Sequence, residues 1–138
     1  MNISVIIPCL NEEPMLERTL SAVIVQDAIS DVVVADGGSS DRSIGIAIKN
    51  GAKVTVGDSG RGTQLNAGWR ASDGEILWFL HADTRPDKRA SNLIIDAFKD
   101  NETSLTAFRL KFESADTRMR LVSLGANLRS IFSRLPYG

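Results

Sequence analysis

His81, Asp83 and Arg85 stand at alternate positions directly after the apolar run Ile76-Leu77-Trp78-Phe79-Leu80. An imidazole and a carboxylate two residues apart offer donors to a hard or borderline divalent ion such as Mg²⁺ or Mn²⁺. The ordinary alternative is a plain strand end, with Asp83 capping the next helix through Thr84 to Pro86. Three further polar clusters bear on the choice: Asn11-Glu12-Glu13, Asp36 with Ser39 and Asp41, and Arg61 with Gln64 and Asn66. Each alone reads as a cap or a turn, and Asp36 in particular suits an Asx-turn. Four such clusters brought to one edge of a sheet favour a binding site.

The chemistry of that site follows from residue types. Asp36 leaves a buried strand where a carboxylate can accept from a nucleobase N–H or a ribose hydroxyl. Gly60-Arg61-Gly62 gives the backbone freedom on both sides of a guanidinium, which suits close approach to a diphosphate. Arg61 also lies beside the N-terminus of the next predicted helix, which favours anions. A cation held by Asp83 and His81 would bridge the phosphates and stabilise a departing nucleoside diphosphate.

These clusters need elements to position them. Ile3-Ser4-Val5-Ile6-Ile7 predicts a strand ended by Pro8, and Asn11 predicts the N-cap of a helix with Pro14 in its first turn. Leu16, Leu20, Val23 and Ile24 form that helix's apolar face. Val32 to Ala35 predicts the second strand, followed by a helix with Ile44, Ala47 and Ile48 inward and Asn50-Gly51 as its C-cap. Lys53 to Val56 predicts the third strand and Thr63 to Ser72 a short helix. The Ile76–Leu80 run predicts a strand buried on both faces. Asp87 to Asp100 predicts a helix facing inward through Ala90, Leu93, Ile94, Ala97 and Phe98. Thr106, Phe108, Leu110 and Phe112 alternate as in a half-buried strand, and Asp116 to Phe132 predicts a long helix. Repeated strand–helix alternation calls for a mostly parallel sheet with right-handed crossovers, a three-layer α/β/α domain of nucleotide-binding type.

Composition sets outer limits. With 138 residues, the chain suits one domain with a sizeable core. It is 43% hydrophobic and 24% charged, with net charge −1, a balance that argues against nucleic-acid binding. Cys9 is the only cysteine, so a reducing cytoplasm is expected. No apolar run approaches the roughly 18 residues of a membrane span, and Ile3 to Ile7 stands where a signal peptide would be basic. Only the tail is polarised, with four arginines and no acid after Asp116. Its Met119, Val122, Ala126, Ile131 and Phe132 suggest either a basic amphipathic helix for peripheral membrane contact or a helix covering the sheet or an oligomer interface, and the second is the expectation.

Other nucleotide folds fail on their motifs. A dinucleotide-binding domain wants G-x-G-x-x-G after the first strand, where this chain has Pro8-Cys9-Leu10-Asn11. The P-loop pattern is absent. A lone cysteine and a lone histidine at separate strand ends make a weak thiol hydrolase. A sugar nucleotidyltransferase wants a basic glycine-rich loop that Pro8 to Asn11 does not supply.

The order of motifs resembles a known family. Ser4-Val5-Ile6-Ile7-Pro8…Asn11-Glu12-Glu13, then Val34-Ala35-Asp36-Gly37-Gly38-Ser39-Ser40-Asp41, is similar to the opening of family 2 glycosyltransferases of the GT-A fold. Gly60-Arg61-Gly62-x-Gln64-x-Asn66-x-Gly68, Phe79-Leu80-His81-Ala82-Asp83-Thr84 and Pro136-Tyr137-Gly138 resemble one bacterial subgroup found near radical-SAM genes. The resemblance implies a nucleotide-diphospho-sugar donor, with Pro8, Glu12 and Asp36 around the nucleoside and Arg61 near the diphosphate. His81-Ala82-Asp83 falls on the family's D-x-D metal motif, with His81 replacing the first aspartate. It also implies that the general base for inverting transfer lies in an acceptor-binding half beyond Gly138, so that this chain is expected to be a donor-binding fragment of a longer protein. The competing expectation is a non-catalytic nucleotide-binding or assembly module, and the sugar, base and acceptor stay open.

Overall fold

The β-branched runs at Ile3–Ile7 and Val32–Val34 become the two central strands of a four-stranded parallel sheet. The computed structural model describes residues 1–100, 102–109 and 127, and the chain divides into two compact units, Met1–Asp96 and Ala97–Gly138. Elements alternate strictly: β1 (Ile3–Cys9), α1 (Glu13–Ile24), β2 (Ile29–Asp36), α2 (Ser43–Lys49), β3 (Lys53–Val56), α3 (Arg61–Arg70), β4 (Ile76–Phe79) and α4 (Ala90–Phe98). The strand order is β3-β2-β1-β4, with every pairing parallel. Ile3, Val5, Ile6, Ile7, Val33 and Val34 are fully buried, as strands covered on both faces require.

This order sets where a ligand can bind. From β1 the chain steps outward through β2 to β3, then returns to place β4 on the other side of β1. Right-handed crossovers that step in opposite directions put α1 and α2 on one face and α3 on the other. The reversal point lies between β1 and β4, and the crevice beyond strand ends at such a point is the expected ligand site. Gly68 lets α3 approach the sheet closely: a Cβ there would stand 2.4 Å from Ile6 Cγ2 and 3.5 Å from Ala35 Cβ.

The opposite, amino-terminal edge of the sheet is closed by a polar staple. Buried Ser4 donates through Oγ to Asp31 and accepts from the Gly74 N–H at 2.7 Å. Lys53 joins Asp31 at 3.0 Å and Asp73 at 2.6 Å. Burial pushes the Asp31 carboxyl up, but the bonds from Ser4 and Lys53 outweigh it and hold the group below its ordinary value.

Several expectations are corrected. β1 runs through Pro8 to Cys9; Pro8 stands two residues beyond Ile6, whose carbonyl takes the Leu80 N–H beyond the end of β4, so Pro8's missing N–H falls past the end of the β1–β4 ladder and interrupts none. Asn11 does not cap α1. It adopts φ +54°, and Glu12 occupies the cap position without a side-chain cap bond. β4 is buried on one face only: Ile76 and Trp78 are 7% exposed, whereas Phe79 is 49% exposed, because α3 covers β1 and β2 and leaves β4 open on that side. Ile48 and Leu93 point outward, since α2 is a short helix that turns only Ser43 and Ala47 fully inward, while α4 buries Ala90, Ser91 and Ile94. Thr106 and Phe108 are exposed and irregular, having no neighbouring strand among the described residues. Leu110, Phe112 and the helix expected over 116–132 lie outside the described residues, apart from helical Asn127. No helix among the described residues is long and apolar enough to cross a membrane.

Candidate functional site

All four strand exits open onto the carboxyl edge of the sheet, and the first two are stitched into one platform. Asp36, buried at the end of β2, accepts from the N–H groups of Gly38 and Ser39 through Oδ1 at 2.8 and 2.7 Å. Its Oδ2 accepts the Ser39 hydroxyl at 2.5 Å. The Asx-turn is therefore real, and it spends most of the carboxylate's acceptor capacity on its own loop. Asn11 Oδ1 accepts the Ser40 N–H, and the Asn11 N–H donates to Ser39 Oγ, both at 2.8 Å.

The N-terminus of α1 is capped from the neighbouring loop. Glu12 N–H donates to Ser43 Oγ and Glu13 N–H to Asp41 Oδ2, each at 3.0 Å. These bonds satisfy N–H groups that a helix start leaves orphaned. Arg42 returns the link through Nε and Nη2 to Glu13 Oε1, at 2.8 and 2.5 Å. The Arg42 hydrogen bonds hold the Glu13 carboxyl below its ordinary value, and the Ser43 hydroxyl does the same for Asp41. The half-buried carboxylate of Glu12 makes no side-chain hydrogen bond or ion pair among the described residues, which leaves it available to a ligand. Cys9 is a free, buried thiol beneath this platform, pushed up chiefly by burial.

The other half of the site lies between α3 and the exit of β4. Gln64 is buried, and its amide nitrogen donates to the carbonyls of Cys9 at 2.8 Å and Ala35 at 2.9 Å. Its Oε1 accepts the Gly60 N–H at 3.3 Å. Gln64 was expected among the ligand-binding groups, but both of its amide protons are spent. It clamps the ends of β1 and β2 to the start of α3. Asn66 is exposed on the face of α3 turned away from buried Gln64 and Gly68, so it does not join the cluster.

Arg61 and His81 do come together. Arg61 is the first residue of α3, and its Nη2 lies 2.5 Å from His81 Nε2. A guanidinium has no acceptor, so it donates and Nε2 accepts. No carboxylate lies within ion-pair range of Arg61 among the described residues. Asp83 is exposed on the same loop and carries no hydrogen bond or ion pair among the described residues.

That loop is anchored from beneath. The Thr19 hydroxyl of α1, buried, is directed at the carbonyls of Ala82 at 2.6 Å and Thr84 at 3.0 Å, the two residues that flank Asp83. The Thr84 N–H closes a turn onto the His81 carbonyl at 3.1 Å. Sequence reasoning missed Thr19, because a threonine among the apolar positions of a helix reads as packing. It also missed Ser43, although Asp41-Arg42-Ser43 before a helix carries a capping signal.

The donor set suits one kind of cation. No group of three His, Cys, Asp or Glu residues capable of holding a metal occurs among the described residues. Mg²⁺ and Mn²⁺ sites that rely on one or two carboxylates complete their shells with water and substrate phosphate, and a single unpartnered Asp83 matches that class. His81 does not add to it in this arrangement, since its Nε2 lone pair faces Arg61.

The family model described as "Glycosyl transferase family 2" matches residues 4–136. The chain belongs to the family 2 glycosyltransferases. Glucosyl-3-phosphoglycerate synthase of Mycobacterium tuberculosis is 30% identical over 92 residues, 59% of this chain and 28% of the synthase. A probable glycosyltransferase of Bacillus subtilis, YdaM, is 27% identical over 143 residues, covering 94% of this chain and 34% of that protein. The crystal structure of the M. tuberculosis synthase with Mn²⁺, UDP and glucosyl-3-phosphoglycerate superposes with a TM-score of 0.64 at 26% identity, over 73% of this chain and 40% of that one. The same synthase has been solved with Mn²⁺, UDP-glucose and phosphoglyceric acid at the same TM-score. The described sheet and its helices share the GT-A architecture of these structures. The chain spans about a third of the length of the curated relatives it matches.

Proposed function

We propose that the chain is the donor-binding portion of a metal-assisted glycosyltransferase that transfers sugar from a nucleoside diphosphate with inversion. The observation that carries this reading is the presence, at one sheet edge, of a carboxylate on Asp83 and a guanidinium on Arg61, neither of which has an ion-pair partner among the described residues. An anionic ligand and a cation together would satisfy both.

In this reading Pro8, Asn11, Glu12 and the Asp36 turn form the wall for the nucleoside, and Glu12 supplies the open acceptor. Arg61, at the positive end of α3, meets the diphosphate. Asp83 would hold Mg²⁺ or Mn²⁺, which would add positive charge beside the diphosphate as its bond to the sugar breaks. The acceptor hydroxyl forms the new bond to the anomeric carbon from the opposite face, the bond to the diphosphate oxygen breaks, and that oxygen keeps the electron pair. The hydroxyl's proton goes to a base not assigned among the described residues. The glycine-flanked Arg61 segment and the His81-Ala82-Asp83 loop support membership of the subgroup found near radical-SAM genes. A nucleotide-sugar donor and a single buried thiol fit a reducing cytoplasm.

A thermal-shift panel of UDP, GDP, CDP, dTDP and ADP, with and without Mn²⁺, tests the reading. Binding to the native state adds about 2.7 kcal/mol at a hundredfold excess over Kd, several degrees for a domain of this size. One nucleotide, with UDP the first to try, should stabilise the protein, more so with Mn²⁺. No shift with any nucleotide would refute donor binding and return the protein to the assembly-module reading.

A further inference from the structure

We propose that His81 is the positioning residue of Arg61 and not a metal ligand. Its Nε2 accepts from the guanidinium and holds it at the head of α3 as a diphosphate contact that needs no cation. The proposal rests on the donor-site reading above and specifies how that site is built.

The geometry leaves His81 one role at a time. Nε2 accepts from Arg61 Nη2 at 2.5 Å, which commits the ring's only free lone pair and puts the proton of the neutral imidazole on Nδ1. A ring in that state offers a cation nothing. Both partners are held by backbone rather than by loose side chains. On the arginine side, Gln64 N–H bonds the Gly60 carbonyl at 2.9 Å while Gln64 Oε1 takes the Gly60 N–H, fixing the first turn of α3. On the histidine side, the Leu80 N–H bonds the Ile6 carbonyl at 3.0 Å, the Thr84 N–H bonds the His81 carbonyl, and the Thr19 hydroxyl faces the carbonyls of Ala82 and Thr84 on either side of Asp83.

An exposed arginine flanked by two glycines would otherwise sample many rotamers, and a ligand would have to order it. The imidazole does that ordering in advance and uses only one N–H of five. The remaining donors stay free for phosphate oxygens. Asp83 is thereby left as the single cation-holding side chain of the loop.

Two measurements on the intact chain test this. The first needs no ligand: ring-nitrogen NMR of His81 should show the Nδ1–H tautomer in the wild type and a shift toward Nε2–H in Arg61→Leu. A wild-type ring already in the Nε2–H form would overturn the proposal. The second is calorimetric titration of UDP with and without Mn²⁺. His81→Gln, whose Oε1 can replace Nε2 as acceptor, should keep metal-free affinity within about twofold. His81→Leu should lose about three- to tenfold, the size of ordering one long side chain. Both variants should keep the wild-type gain on adding Mn²⁺, and Asp83→Asn should lose it. If both His81 variants lose that gain while metal-free affinity is unchanged, His81 is a metal ligand and the proposal is wrong. If the wild type binds UDP in neither condition while the tautomer is as expected, the donor reading fails for UDP and the Arg61–His81 pair stands as geometry alone.

Discussion

Gln64→Glu exchanges one NH₂ for an oxygen at the junction of three elements. In the native protein the Gln64 amide gives both protons to the carbonyls of Cys9 and Ala35 at a position only 7% exposed. A glutamate there would aim a carboxylate at two carbonyl oxygens with no compensating donor. It must bury that charge or take up a proton, and protonation at about pH 7 of a group with an ordinary pKa near 4.3 costs roughly 3.7 kcal/mol at about 1.4 kcal/mol per unit. The protonated acid supplies one donor where the amide supplied two, so a further loss of about 1 kcal/mol remains. The sign is fixed by linkage: the folded-state pKa is raised, so the penalty is present at neutral pH and fades as pH falls toward the unfolded value. Urea unfolding of the variant should show a deficit of about 5 kcal/mol near pH 7 that shrinks toward about 1.5 kcal/mol near pH 4.5. Gln64→Leu should show a smaller deficit of about 2 kcal/mol with no pH dependence of its own. A Gln64→Glu deficit equal at both pH values, or absent, would show that Gln64 is not the clamp.

Three further outcomes are expected. Thr19→Val keeps the shape but removes the hydroxyl proton from the Ala82 and Thr84 carbonyls; it should cost about 1–3 kcal/mol and weaken Mn²⁺-dependent nucleotide binding more than metal-free binding, as read by calorimetry. Gly68→Ala places a Cβ at 2.4 Å from Ile6 Cγ2 and should cost about 1–3 kcal/mol by overpacking, measurable as a lower Tm. Glu13 and Asp41 lie below their ordinary values of 4.5 and 3.8, so the stitch between the first two loops is intact above those values and is lost as pH falls through the lower folded ones. The amide resonances of Glu13 and Arg42 should therefore move with midpoints below those ordinary values, and midpoints at or above them would contradict the stitched platform.

The layout of the fold was largely readable because parallel strands buried on both faces leave continuous β-branched runs such as Ile3–Ile7 and Val32–Val34. Glycine pairs and asparagines punctuated them well enough to place α2's end at Asn50-Gly51, where Gly51 indeed takes φ +76°. What failed was which way single side chains point. Phe79 and Leu93 are apolar in sequence, yet half exposed, because α3 packs on β1 and β2 and α4 buries the face of Ala90, Ser91 and Ile94, and helix placement is not written in any one residue. The polar residues of the site were visible as a set, but not their division of labour. The Asx-turn of Asp36 could be read from its loop, but Gln64 and Asn66 look equally ligand-like in sequence; only the fold shows Gln64 spent on two carbonyls and Asn66 facing outward. The converse holds for Thr19 and Ser43, whose hydroxyls act across 63 and 31 residues of chain, a distance over which no local pattern operates.

Paramagnetic broadening by Mn²⁺ in the presence of UDP tests the central claim most directly, because it reports where the cation and nucleotide sit together. Amide signals of Ala82 to Thr84, of Leu10 to Glu12 and of the head of α3 should broaden first, while those of Asp31, Lys53, Asp73 and Gly74 at the opposite edge stay sharp. Asp83→Asn should abolish the effect. Broadening centred on Asp31 and Asp73, or broadening that survives Asp83→Asn unchanged, would contradict a donor site at the β1–β4 switch point.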